Sequence, residues 1–191
     1  MIIQKNRYLF VNKFINRTLS EIKNLYRKFK NMTTIRKAKI KDVSIIAESA
    51  VELLKYHAKF DSYFAPVENA KDIYTQYFKR CIYNSKKQLL VAECDGKFAG
   101  YVLIEIASRP PVLKIKNTGV VNDIFVVEEF RKKGIGSELF AGMLDWFKNK
   151  KVNYESLDYI ELSENIKDSV SQKAWAKYGF NEYMSKQRMK I

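Results

Sequence analysis

From residue 33 onward the spacing of apolar positions changes again and again between the period of a strand and that of a helix. Residues 33–39 read as a short strand. After them Val43, Ile46, Ala47, Ala50, Val51 and Leu54 recur at helical spacing, and Asp42 is placed to cap that helix. A second helix is predicted over 68–83, with Ile73, Tyr77, Phe78 and Ile82 on one face. Gln88–Cys94 and Lys97–Ala107 are strand-like runs meeting at Asp95-Gly96, a dipeptide suited to a tight hairpin. Arg109-Pro110-Pro111 breaks the sheet pattern. Thr118–Val127 is then a fourth strand, and 135–149 a helix with Leu139, Phe140, Met143, Leu144 and Phe147 turned inward. Leu157–Ser163 is a fifth strand, 168–178 a last helix, and 180–190 a closing strand or two. This order, with a hairpin in its middle, argues an α/β fold: a mixed sheet flanked by helices.

The first 32 residues have another character. Leu9, Phe10, Phe14, Ile15, Leu19, Ile22, Leu25, Tyr26 and Phe29 follow helical spacing with cations between them. Residues 1–31 hold eight Lys/Arg against the single Glu21, so half of the chain's net charge of +14 sits in this segment. A basic amphipathic helix of this kind suits peripheral contact with an anionic membrane, RNA, the neighbouring domain or a second copy in a homodimer. Met32 opens the pattern of the following domain and is an alternative natural start. The expected organisation is therefore a 1–32 extension and one domain over 33–191.

Composition narrows the classes. With 47% apolar and 29% charged residues among 191, the chain reads as an ordinary globular domain. No apolar run approaches the ~20 residues that span a bilayer, and the first 30 residues lack the pattern of a secretory signal. Cys81 and Cys94 form no disulfide framework and read as buried thiols, which points to a cytoplasmic setting. A single histidine, His57, with no ligand cluster around it leaves no expected metal site.

Chemistry concentrates in Val121-Asn122-Asp123-Ile124-Phe125-Val126-Val127-Glu128-Glu129-Phe130-Arg131-Lys132-Lys133-Gly134-Ile135-Gly136-Ser137. A buried strand runs here into a turn whose two glycines open a helix. The first N–H groups of a helix lack intrahelical partners and sit at its positive pole, which suits a pyrophosphate, and Arg131, Lys132 and Lys133 add charge beside it. The spacing is neither GxGxxG, since Leu139 stands where a third glycine is needed, nor a P-loop.

Arg131-x-x-Gly134-x-Gly136 resembles the acyl-CoA motif of the GNAT superfamily of N-acetyltransferases. Ala174-Trp175-Ala176-Lys177-Tyr178-Gly179-Phe180 is similar to that family's LYEKLGF signature, and Ile35-Arg36-x-Ala38-x-x-x-Asp42-x-x-x-Ile46 to its opening strand and helix. The three matches fall in order over residues 33–190. The resemblance implies a mostly antiparallel central sheet whose fourth and fifth strands splay apart, and acetyl-CoA as acyl donor. Main-chain groups of Phe125, Val126 and Val127 would pair with the pantetheine arm. Backbone N–H groups from Arg131 through Lys132, Lys133, Gly134, Ile135 and Gly136 to Ser137 would hold the pyrophosphate, and Asn165 would touch the arm.

The family's reaction is direct attack of an amine on the thioester. It needs a base for the amine, a donor to the developing oxyanion, here Val126 N–H, and an acid for the thiolate. Asp123, a carboxylate in an apolar strand, is the candidate base or amine anchor, with Glu105 and Glu161 as competitors. Strict alternation puts Asp123 on the face of Val121 and Phe125 and opposite Val126. Trp175 stands where the family has its tyrosine acid, and Tyr178 is the substitute candidate. The aromatic stretch at the end of the first helix supplies an acceptor pocket or lid, with Tyr56, His57, Asp61 and Tyr63 as substrate-binding candidates. The acceptor is an amine on a small molecule, protein or peptide. The competing readings are a non-catalytic acyl-CoA sensor and a basic nucleic-acid-associated protein, the latter leaving the Arg131–Gly136 motif without a purpose.

Overall fold

The computed structural model describes residues 33–154, 157–165 and 167–189, together with Glu21. The basic helix expected over 8–29 and the alternative start at Met32 lie outside the described residues. The elements are β1 (Thr33–Lys37), α1 (Val43–Ala58), α2 (Ala70–Tyr83), β2 (Lys87–Cys94), β3 (Lys97–Ser108), β4 (Asn117–Val126), α3 (Ile135–Lys151), β5 (Leu157–Leu162) and α4 (Ser169–Lys177). One-turn 3-10 segments stand at Ile40–Asp42, Ser62–Phe64 and Glu128–Phe130.

The five strands lie in the order in which they occur, β1-β2-β3-β4-β5, antiparallel except for the parallel pair β4–β5. The Asp95-Gly96 turn does what its sequence predicts, with φ of 56° and 71°, the left-handed pair that suits the twist of a two-residue hairpin. Alternation along β2 and β3 sorts their side chains into two layers. Leu90, Ala92, Val102 and Ile104 meet Leu139, Met143 and Phe147 of α3 on one face. Leu89, Val91, Tyr101 and Leu103 meet Ile46, Ala47 and Phe78 of α1 and α2 on the other. Burial of each large apolar side chain in such a layer stabilises by roughly 1.5–3 kcal/mol.

Asp42 departs from the expected cap. It is itself helical in φ and ψ and makes no side-chain cap bond to α1. Its carboxylate instead accepts from Lys39 N at 2.7 Å and from both terminal nitrogens of Arg36 at 2.7 and 2.8 Å. Arg36 also reaches Glu93 at 2.6 Å, so one guanidinium ties β1 and β2 to the entry of α1. The hydrogen bonds from Arg36 hold the Asp42 and Glu93 carboxyls below the usual range.

Residues 180–189 form no strand, contrary to expectation. The chain leaves α4 through Gly179 at φ 91°, and Phe180 N bonds back to Trp175 O at 3.1 Å, a helix-ending turn. Phe180 anchors against Trp175, ring centres 5.3 Å apart. The exposed segment beyond is held by side chains: the Tyr183 hydroxyl against Glu161, and Arg188 on Asp61 and over the Tyr63 ring at 4.5 Å. These anchors fix its path without a ladder of backbone bonds to β5.

Candidate functional site

The site is organised by one extra residue in β4. Leu103 of β3 faces Asp123 while its neighbour Ile104 faces Val121, so Asn122 has no β3 partner and forms a bulge. The bulge resets the alternation. Val121 joins the α3 layer, whereas Phe125 lies in the α1–α2 layer and Asp123 stands opposite Leu103 of that layer. Plain alternation, which put Val121 with Asp123, is corrected by this inserted residue.

β5 follows β4 only as far as the pair Val121–Leu162, and β4 runs on to Val126 without it. Val127 N donates to Ala99 O at 3.0 Å, so by strand alternation the peptide groups of Phe125 and Val127 turn toward β3 and that of Val126 turns into the gap. The Val126 carbonyl accepts from Arg131 Nε at 3.0 Å, which leaves its N–H facing the gap. Val127 already has one partner at each main-chain group, since its carbonyl also accepts from Phe130 N at 2.9 Å. The Phe125 carbonyl points at Gly100, where a Cβ would overlap it. Of the three residues expected to meet the pantetheine arm, Val126 is the one whose main-chain N–H faces the gap.

After the Glu128–Phe130 turn, Lys132 adopts φ 60° and Gly134 φ 91° before α3 begins. Such a left-handed residue suits glycine at position 134 and aims successive amides toward one concavity. The N–H groups of Lys132, Gly134, Ile135 and Gly136 donate to no loop or cap carbonyl. Those at the two ends of the expected set are used internally: Arg131 N bonds Glu128 O at 3.1 Å and Ser137 N bonds Gly134 O at 2.9 Å. A Cβ built on Gly136 meets nothing nearer than Val126 Cγ2 at 3.9 Å, so packing does not require glycine there. Lys133 lies with its ammonium 5.6 Å from the Phe130 ring centre.

The gap and the first part of the turn, at Glu128, Arg131 and Lys132, open into one cleft of about 710 Å³, lined also by both sides of β4, the end of β5, α1 and α4. Lys133, Gly134, Ile135, Gly136 and Ser137 lie outside that lining. Asp123 lines it, half-buried, and its carboxylate accepts no hydrogen bond among the described residues. Burial raises its pKa to about 6, against the opposing pull of Lys87. The two competing carboxylates are engaged: Glu105 pairs with Lys87, and Glu161 meets the Tyr183 hydroxyl.

Of the four substrate-binding candidates, Tyr56 and His57 line the cleft; Asp61 and Tyr63 do not. Asp61 accepts from Tyr63 N at 3.0 Å and pairs with Arg188, while the Tyr63 ring is 72% exposed. Asn165 lies outside the lining, its side-chain oxygen accepting from Lys167 N at 2.9 Å in a local turn. Tyr178 is outside as well. Its ring stacks on Phe140, centres 4.1 Å apart, and its hydroxyl shares a 2.8 Å hydrogen bond with Ser137, so the expected acid is turned toward the start of α3. From α4, Val170, Ser171, Ala174 and Trp175 line the cleft.

A family model described as Acetyltransferase (GNAT) family matches residues 53–180. The chain belongs to this family. An uncharacterized N-acetyltransferase of Archaeoglobus fulgidus is 33% identical over 78 residues, 40% of this chain and 52% of that protein, so the chain spans about half the length of that curated relative. A mutant of the BH1408 protein from Bacillus halodurans shares the fold with a TM-score of 0.73 at 19% identity, covering 83% of this chain and 99% of its own. So does the aminoglycoside N-acetyltransferase AAC(6')-Iy, solved with CoA, at a TM-score of 0.66 and 16% identity over 83% and 94% of the two chains.

Some cleft residues of this GNAT domain were not singled out in the sequence. Asp168 is 3% exposed and caps α4 by accepting from Val170 N and Ser171 N, both at 3.1 Å. The Tyr56 hydroxyl lies against it, linking the end of α1 to the start of α4; burial and then the Asp168 charge raise that hydroxyl's pKa. Asp before Ser-Val-Ser at a helix start was a readable cap signal, but its contact with Tyr56 was not. Glu52, one turn before Tyr56 on α1, had no local signal at all. Among the described residues no cluster of His, Cys, Asp and Glu is arranged to hold a metal ion, and no helix is long and apolar enough to cross a membrane.

Proposed function

We propose that the protein is a cytoplasmic N-acetyltransferase that moves the acetyl group of acetyl-CoA to a primary amine by direct attack in a ternary complex. The observation that carries this reading is the Val126 N–H left facing the gap between β4 and β5, beside the amides at 132–136. The amides suit the pyrophosphate, the gap admits the thioester, and Val126 N–H is the donor for the oxygen that gains charge as the amine adds. Asp123 takes a proton from the arriving ammonium. The amine nitrogen then bonds to the acetyl carbon and gives up its second proton to solvent, the C–S bond breaks with its electron pair on sulfur, and solvent protonates the thiolate, since Tyr178 is held by Ser137.

The acceptor is read as a cation. The recessed charged side chains of the cleft, Asp123, Glu164 and Asp168, are all acidic, whereas Lys55, Lys59, Arg131 and Lys132 are exposed at its rim. A positively charged small molecule or a peptide amine fits that arrangement, and AAC(6')-Iy, by its name, acts on aminoglycosides. The test is thiol release from acetyl-CoA over a panel of polyamines, aminoglycosides and peptides with free amines. Acceptor-dependent release supports the reading. Tight CoA binding with no release from any acceptor would favour the sensor, a reading that the engaged Tyr178 hydroxyl keeps in play.

A further inference from the structure

Among the described residues one buried side-chain nitrogen or oxygen has no hydrogen-bond partner, the hydroxyl of Tyr101. The residue is 0% exposed. A hydroxyl buried in this way loses its water without recompense, and phenylalanine would fill the same space without that penalty. Something other than packing accounts for the oxygen.

Its surroundings suggest what. Tyr101 pairs with Phe125 across β3 and β4, and Leu103 pairs with Asp123, so Tyr101 is the diagonal same-face neighbour of Asp123, within reach of a long side chain. Phe78 of α2 covers the Tyr101 ring at 5.8 Å and Tyr74 stacks on Phe78 at 5.4 Å. Tyr101 and Tyr74 both feel the charge of Asp123, an added push on hydroxyls whose pKa burial already raises. A buried unmatched donor and a cleft-lining carboxylate therefore stand on the same side of the sheet. The other groups on that side are engaged or at the cleft surface. Lys87 is held by Glu105 and by the Tyr77 hydroxyl at 3.3 Å, and Glu52, Tyr56 and His57 of α1 line the same cleft as Asp123.

We propose that Tyr101 is a positioning residue: when the cleft is loaded, its hydroxyl donates to the Asp123 carboxylate, fixing its orientation toward the amine and favouring its charged form. This rests on the reading of Asp123 as the base. Its small motion is a turn of the Asp123 carboxylate or of the phenol within the layer, and the cleft-facing oxygen of Asp123 stays available to the acceptor.

The experiment follows the Asp123 carboxyl carbon by 13C NMR through a pH titration of the full chain saturated with CoA, assigned by Asp123→Asn, in wild type and Tyr101→Phe. Loss of a donor to the charged form raises the midpoint, by roughly half a unit or more, a threefold or greater change in proton affinity. Without CoA the variant should also melt no lower than wild type, since it removes an unpaired buried oxygen. An unchanged midpoint overturns the proposal. Should Tyr101→Phe fold poorly, ring-fluorinated tyrosine keeps the shape while making the hydroxyl a stronger donor, and must shift the midpoint downward; no shift is equally fatal. The titration needs no acceptor, so it is separate from the base assignment. Wild-type turnover by Asp123→Asn would remove Asp123 as base, whatever Tyr101 does to its titration.

Discussion

Gly136→Val separates a glycine kept for a ligand from one kept for the fold. A side chain there starts 3.9 Å from its nearest neighbour, Val126 Cγ2, and the position is inside α3, where valine is no worse than glycine in helix propensity. The variant should fold with a stability within about 1 kcal/mol of wild type. Its isopropyl group would stand over the amides of Lys132, Gly134, Ile135 and Gly136. Displacing a pyrophosphate from two of them removes two hydrogen bonds to a charged group, at about 1.5–3 kcal/mol each, and so weakens CoA by about 10² to 10⁴. In a thermal-shift assay with CoA at about a hundred times the wild-type dissociation constant, the wild type gains about 2.7 kcal/mol and the variant about 0.4 kcal/mol or less. For a domain of this size these are shifts of about 5–11 °C and at most about 2 °C. A folded Gly136→Val showing the full wild-type shift would refute the assignment of these amides. Gly134→Val is a poorer test: at φ 91° a side chain is strained by about 1–2 kcal/mol, and lost binding could not be told from a damaged turn.

Asp123→Asn should lower kcat by about 10² to 10⁴ in the thiol-release assay, and wild-type activity should fall as pH drops through about 6, where this carboxyl gains its proton. The same carboxyl has a stability signature. Its folded pKa of about 6 lies above the unfolded value, so the stabilisation it confers is complete below the unfolded pKa and is lost as pH rises through 6. Asparagine should therefore gain on wild type between pH 4 and pH 7, by up to roughly 3 kcal/mol in urea melts. Arg36→Met should cost about 2–4 kcal/mol by stranding Asp42 and Glu93, a loss seen at neutral pH and fading in acid as those lowered carboxyls take up protons. Gly100→Ala should cost about 1–3 kcal/mol or more, because its methyl group overlaps the Phe125 carbonyl and must push β3 from β4; denaturant midpoints measure it.

What the sequence made legible was periodic or local. The element order from β1 to α4 follows from runs long enough to show a period, and the Asp95-Gly96 turn and the glycines of the 131–136 turn announce their own backbone conformations. What escaped depended on one-residue offsets or on partners far along the chain. Asn122 looks like any strand residue until its absence from the β3 register is seen. Asp42 has the residue type and place of a cap, yet Arg36, six residues earlier, draws its carboxylate the other way. Residues 180–189 have the mixture of tyrosine, methionine and polar residues that a strand accepts, but their anchors are Glu161, Asp61 and Tyr63, which no local window includes. Tyr178 could be placed on a helix face by its number; its preference for Ser137, 41 positions back, could not.

In the proposed reaction, the bulge at Asn122 also lets one strand serve two substrates from opposite sides. Without it, Val121 and Asp123 would share a face, and either a carboxylate would enter the α3 layer or Val121 would leave it. With it, the stretch before the bulge continues the α3 core while Asp123 and Phe125 turn to the α1–α2 side, where Tyr101 lies. The same short segment is where β5 leaves β4, so in the proposed reaction the Val126 N–H that would meet the acyl donor and the Asp123 carboxylate that would meet the amine are three residues apart on a strand still paired to β3. Pairing on that side makes their separation a property of the sheet rather than of a loop, which is the rigidity that aligning an amine with a thioester requires.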